Sequence, residues 1–341
     1  MGIVRVLLAL CVINAHTGGG IYFGIDGRQA VILFYVISGF YMALVLNRKY
    51  TGEGSTIRFY AARYTRLWLP YIPIIILTIA LLAYTDALKS VSFAYSQAPL
   101  WLAALAVLAN ITIIGQDLFW LIGYSADSVS YIPYGESGSN GHSLMLNSPL
   151  FTVSIEFYFY LLAPYFTKNT NRCFLLLLSG SLWLLLSSYF GYSHNLGLQY
   201  QAAPSVLMYF GLGAIVYHLS QNSLSYRHYF LLCLCALLVV TSSTIIRGWL
   251  PLFMAFSIIF LFRATQENAL DSYIGEYSYL LYITHKPLMQ FAMYQFGLNR
   301  GFELFIYTAS LALITSFVLY YSVDRYVASY RARKYGSGHI T

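Results

Sequence analysis

Residues 30–47, AVILFYVISGFYMALVLN, run without one charged side chain, and this stretch decides the fold. A run of that length satisfies its backbone hydrogen bonds inside lipid only as a helix. Working outward, comparable apolar runs lie near residues 3–22, 67–85, 149–166, 173–190, 203–219, 229–246, 248–262, 273–294 and 302–323. The expectation is an all-α, polytopic membrane bundle of about ten transmembrane helices. Of the 341 residues, 59% are apolar and 9% charged, where a soluble domain carries about 25% charge. With a mean hydropathy of +0.63, a water-soluble globule is excluded. The chain reads as a single integral-membrane domain over 1–341.

The stretch 98–124 is apolar but interrupted by Asn110 and Gly115-Gln116-Asp117, as suits a re-entrant segment or an extra helix. A Ser/Gly-rich outer loop follows over 125–148, and a short cytoplasmic tail is expected over 324–341. Basic residues choose between ten and eleven spans. With ten, and an internal N-terminus, thirteen of the nineteen Lys and Arg residues fall in inner loops and the tail and four in outer loops, as the positive-inside bias requires. Eleven would put Arg331-Ala332-Arg333-Lys334 outside. The net charge of +7 is therefore topological and implies no nucleic-acid partner. Val4–Ile13 has no convincing cleavage site after it and is kept as a first helix rather than a signal peptide. Cys11, Cys173, Cys233 and Cys235 lie within apolar runs and are expected to be packing residues, with no metal site.

Ionisable side chains within spans cost roughly 2.5–3.5 kcal/mol each on insertion scales and are functional candidates. They are Arg5, His16, Glu156, His285 and Lys286. Arg5 and His16 are eleven residues apart, three turns plus about 20°, and so share one face roughly 16 Å apart along the axis. Counting rise per residue, His16, His285 and Glu156 fall in one layer on the outer half of the membrane. The alternatives are a snorkelling anchor for Arg5, interhelical hydrogen bonds for the histidines and a Glu156–Lys286 ion pair. The abundant Tyr and Phe are expected chiefly at lipid-facing and interfacial positions.

Five segments in order resemble the acyltransferase-3 family of bacterial integral-membrane O-acyltransferases. RVLLALCVINAH (5–16) is similar to its Arg-x10-His element, and AVILFYVISGF (30–40) to its Ser-Gly-Phe segment. IRFYAARYTRLWLPY (57–71) resembles its basic cytoplasmic loop, FTVSIEFYFYLLAP (151–164) its Ser-x-Glu helix, and YSYLLYITHKPL (277–288) its late His-containing helix. Ala30 and Ile32 stand where Gly and Asp are frequent, and Phe151 where Trp is common. The chain runs only about 18 residues beyond the last span, which suggests a stand-alone enzyme without the periplasmic esterase-like domain of many relatives.

The resemblance implies transfer of an acyl group, usually acetyl, from cytoplasmic acyl-CoA to a hydroxyl of a cell-surface or lipid-linked glycan such as O-antigen, lipopolysaccharide or exopolysaccharide. It implies acetyl-CoA as co-substrate with no tightly bound cofactor. Arg5 and His16 are expected to be needed for activity. The enzyme would lie among the lipids of the bacterial inner membrane with both termini cytoplasmic. Arg58, Arg63 and Arg66 offer the polyanionic donor an inner-face basic surface beside Arg5. His16 suits a general base, with a His16 acyl intermediate as a variant. Glu156 would orient His16 or His285, and Ser38 or a backbone N–H would help hold the oxyanion. The rival class is a secondary transporter or glycolipid flippase, for which ten spans and a broken hairpin would also serve.

Overall fold

The computed structural model describes residues 1–131, 139–192, 195–221 and 249–336. The expected span over 229–246, with Cys233 and Cys235, lies outside the described residues. The helices, in chain order, are α1 (Gly2–Thr17), α2 (Gly27–Arg48), α3 (Ser55–Tyr84), α4 (Ala87–Gln97), α5 (Leu100–Thr112) and α6 (Phe151–Phe166). They continue as α7 (Thr170–Tyr189), α8 (Ala203–Gln221), α9 (Trp249–Thr265), α10 (Ala269–Phe296), α11 (Phe302–Leu319) and α12 (Arg325–Tyr335).

The uncharged run 30–47 lies within α2, the centre of the bundle. Asp26 starts it with a capping box, its carboxylate accepting from the Gln29 N–H while the Gln29 side chain accepts from the Asp26 N–H. The helix is apolar all round and buried on nearly every side, as expected of a core span. It lies against α8, α1, α9 and α6. Glycine permits the closest of these approaches. A Cβ on Gly39 would sit 2.1 Å from the Phe210 carbonyl oxygen, and one on Gly213 1.9 Å from that of Val36. Small residues where helix backbones meet are the packing device of membrane helices. The first turn of α1 is held to α10 by Asp271, whose carboxylate accepts from the N–H groups of Gly2 at 2.7 Å and Ile3 at 3.0 Å.

Among the described residues, five helices are long and apolar enough to cross a membrane: Gly27–Arg48, Ser55–Tyr84, Thr170–Tyr189, the run Gly197–Gln221 and the run Phe302–Tyr335. The other expected spans among the described residues are shorter or more polar. α1 and α6 have 16 residues each and α9 has 17, about 24–26 Å by helical rise. α10 is long but carries Asp271, Glu276 and Lys286.

The region 98–124 contains α5, about 20 Å long by rise, then a turn at Gly115–Asp117. Trp68 and Tyr71 of α3 donate to the carbonyls of Ile111 and Asn110. The Ser154 hydroxyl of α6 accepts from the Gly115 N–H and donates to Asp117. The segment 125–148 carries more order than a loop. A three-stranded antiparallel sheet in the order β2-β1-β3 joins β1 (Ile122–Tyr124), β2 (Val129–Tyr131) and β3 (Ser139–Asn140), a small departure from all-α. The tail is helical: α12 continues the run Phe302–Tyr335 and packs against α3.

Candidate active site

Two cavities occupy opposite ends of the same bundle. The first, about 260 Å³, opens at the end that carries the N-terminus. Arg5 of α1, Arg63 and Arg66 of α3 and Arg331 of α12 line it, with Ser38 of α2, Glu156 and Tyr160 of α6, and Glu276 of α10. Among the described residues none of these arginines forms an ion pair with a carboxylate. The Nε atoms of Arg63 and Arg331 are buried without a hydrogen-bond partner. Arg63 is only 9% exposed and lies over the Phe59 and Tyr160 rings, 5.6 and 5.9 Å from their centroids. Buried donors of fixed charge left unpaired around an open space are the chemistry of an anion site.

Helical spacing explains which arginines enter. Arg63 and Arg66 are three residues apart and share a face of α3, whereas Arg58 is turned about 140° from Arg63. Arg58 is exposed and does not line the cavity, contrary to the expectation from its loop. Arg331, read in the sequence only as a topological charge, enters because α12, continuing the helical run from α11, packs against α3.

Glu156 also departs from expectation. Its Oε1 accepts from the Ser38 hydroxyl at 2.6 Å and from the Tyr160 hydroxyl at 2.5 Å. It contacts neither imidazole, and Lys286 lines the other cavity, so no Glu156–Lys286 ion pair forms. Ser38 spends its proton on Glu156 and is not in the wall of the cavity that holds His16. Rise along the axis had put Glu156 at the depth of the histidines but carries no information on which way the side chain points. Tyr160, one turn after Glu156, was readable as an i, i+4 partner and was missed.

The second cavity, about 460 Å³, is lined by His16, Arg28, Trp120, Tyr200, Lys286 and Arg300, among others. The His16 ring is half-buried, and the fully buried His285 stands behind it with Nε2 2.8 Å from His16 Nδ1. His285 Nδ1 meets the Tyr282 carbonyl oxygen. That contact fixes the protons. A carbonyl only accepts, so His285 Nδ1 carries hydrogen and, in a neutral ring, its Nε2 is the acceptor. His16 Nδ1–H therefore donates to it, leaving His16 Nε2 unprotonated and ready to take a proton.

Proline helps to hold this geometry. Pro287 has no N–H for the Ile283 carbonyl one turn back, and the Asn147 side-chain amide donates there instead at 2.7 Å. The Tyr282 hydroxyl is within hydrogen-bond distance of Thr152 Oγ1, at 2.8 Å, and of the Pro149 carbonyl, at 3.2 Å. Val31 and Tyr282 line both cavities and so form the wall between them. Arg5 and His16 thus each enter a cavity from the same helix, and Arg5 is not a lipid-facing anchor. Among the described residues, no three His, Cys, Asp or Glu side chains gather as a metal site.

A protein-family model described as an acyltransferase domain matches residues 1–323, nearly the whole chain. No curated protein and no solved structure matches it.

Proposed function

The chain belongs to the acyltransferase-3 family, and from that premise we propose that it moves an acyl group, acetyl in the simplest case, from acyl-CoA on the cytoplasmic side to a glycan hydroxyl presented at the opposite face of the inner membrane. The observation that supports this reading is the meeting of an unpaired guanidinium cavity and a base-bearing cavity at one wall, Val31 and Tyr282.

The donor's phosphates would sit among Arg5, Arg63, Arg66 and Arg331, where bidentate guanidinium contacts replace water. The slender arm of CoA would run along α1 and pass Val31 and Tyr282. It covers the roughly 16 Å of axial rise from Arg5 to His16. His16 Nε2 takes the proton of the acceptor hydroxyl as its oxygen attacks the thioester carbonyl. The tetrahedral intermediate collapses with cleavage of the C–S bond, and the imidazolium returns the proton to the departing sulfur. Ester and free CoA thiol are the products, with one proton carried across by His16. His285 accepts from His16 Nδ1–H throughout, and that bond strengthens when His16 becomes cationic. Glu156 holds Ser38 and Tyr160 beside the donor's arm.

The test is mass spectrometry of surface glycan from cells expressing either the native chain or His16→Ala at equal membrane abundance. Loss of one acyl increment in the variant is expected. Unchanged acylation would remove His16 from the chemistry.

A further inference from the structure

The His16 cavity carries charge that base catalysis does not use. Asp26 and Arg28 lie 4.0 Å apart and offset each other, and Asp26 is further engaged in capping α2. Lys286 and Arg300 remain. Among the described residues neither side chain makes an ion pair or a hydrogen bond, and both line the cavity that holds His16. Their placement is built in. Lys286 directly follows His285, whose ring touches His16. Arg300 is carried to the end of α1 by the turn before α11, where the Gly301 N–H donates to the Thr17 carbonyl at 2.9 Å. Lys286 is half-buried, and Arg300 stands exposed at the rim. Two uncompensated cations in one cavity repel each other unless an anion enters.

We propose that this cavity selects an anionic sugar, one bearing a carboxylate or phosphate that Lys286 and Arg300 grip while the hydroxyl to be acylated rests at His16 Nε2. The proposal rests on the reading of this cavity as the acceptor site and names the acceptor's class. Lys286 reaches the anion from within, as a point charge, and Arg300 closes on it with a planar fork.

The test is equilibrium binding of methyl glucuronide, glucose 1-phosphate and methyl glucoside to the full chain in lipid nanodiscs. One charged sugar is expected to bind at least about ten-fold tighter than the neutral one, and which one does so separates carboxylate from phosphate. Lys286→Met and Arg300→Gln should each erase about ten-fold of that advantage, while Lys286→Arg keeps it. Equal binding of all three sugars, or full preference in both charge-removing variants, would overturn the anion site. His16→Ala separates this from the catalytic reading. Binding preference kept in that variant supports the anion site whether or not acyl transfer is lost.

Discussion

Replacing His285 with phenylalanine puts a somewhat larger apolar ring in its place and removes both the acceptor for His16 Nδ1–H and the donor to the Tyr282 carbonyl, so the glutamine variant, which restores an acceptor, isolates the hydrogen bond that sets the His16 tautomer. In the native chain His16 Nδ1–H has its partner at 2.8 Å on a ring that is fully buried. Without it, the donor is left unsatisfied beside an apolar ring, and the imidazolium that forms during transfer loses a charge-assisted bond of about 1.5–3 kcal/mol. The loss is larger in the transition state than in the ground state, because His16 is neutral before it takes the proton. A net rise of about 2–3 kcal/mol in the barrier gives roughly a 30–150-fold drop in kcat. KM for acetyl-CoA should not change, since the guanidinium cavity is untouched. His285→Gln, whose side-chain oxygen can accept from His16, should recover a substantial part of the loss. The assay is thiol release from acetyl-CoA by protein in nanodiscs, with acceptor present and equal thermal stability confirmed for each variant. A phenylalanine variant within two-fold of native, or a glutamine variant no better than phenylalanine, would refute the tautomer assignment.

Three further outcomes are expected. Arg63→Gln and Arg331→Gln should each weaken acetyl-CoA binding about ten-fold by calorimetry, the scale of one charged hydrogen bond, whereas Arg58→Gln should leave it unchanged; equal effects at all three positions would remove the cavity from donor binding. Val31→Phe should narrow the wall between the cavities and reduce kcat more than about ten-fold, while adenosine 3′,5′-bisphosphate, which lacks the acyl-bearing arm, binds as before; undiminished turnover would put the donor's route elsewhere. Gly39→Leu should force α2 and α8 apart and destabilise the chain by about 1–3 kcal/mol or more, seen as a lower unfolding midpoint in detergent; a native midpoint would show that the close approach is dispensable.

Spacing along a single helix was the most legible part of the site. Eleven residues separate Arg5 from His16, and that interval alone placed both on one stripe, which the cavities now occupy. Relations between helices were less legible. Depth put Glu156 level with the imidazoles, yet its partners are Ser38 and Tyr160, because rise along an axis says nothing of azimuth in a bundle. Arg331 was counted only for membrane orientation, since nothing in Arg-Ala-Arg-Lys announces that the last helix runs on past the span and packs against α3. Apolar run length also says little about where a helix stops or how polar its interior is. α1 stops at Gly18 in the left-handed conformation, and Pro287 sits inside α10 directly after His285 and Lys286. The family likeness was readable from five short segments, and the match over residues 1–323 bears it out.

A cryo-electron-microscopy structure with a non-reactive thioether analogue of acetyl-CoA tests the donor's route most directly. The phosphates should lie among Arg5, Arg63, Arg66 and Arg331, with the arm passing Val31 and Tyr282 and the carbonyl carbon within about 4 Å of the space at His16 Nε2. Phosphates bound away from those guanidinium groups, or an arm that stays on the arginine side of Tyr282, would contradict it.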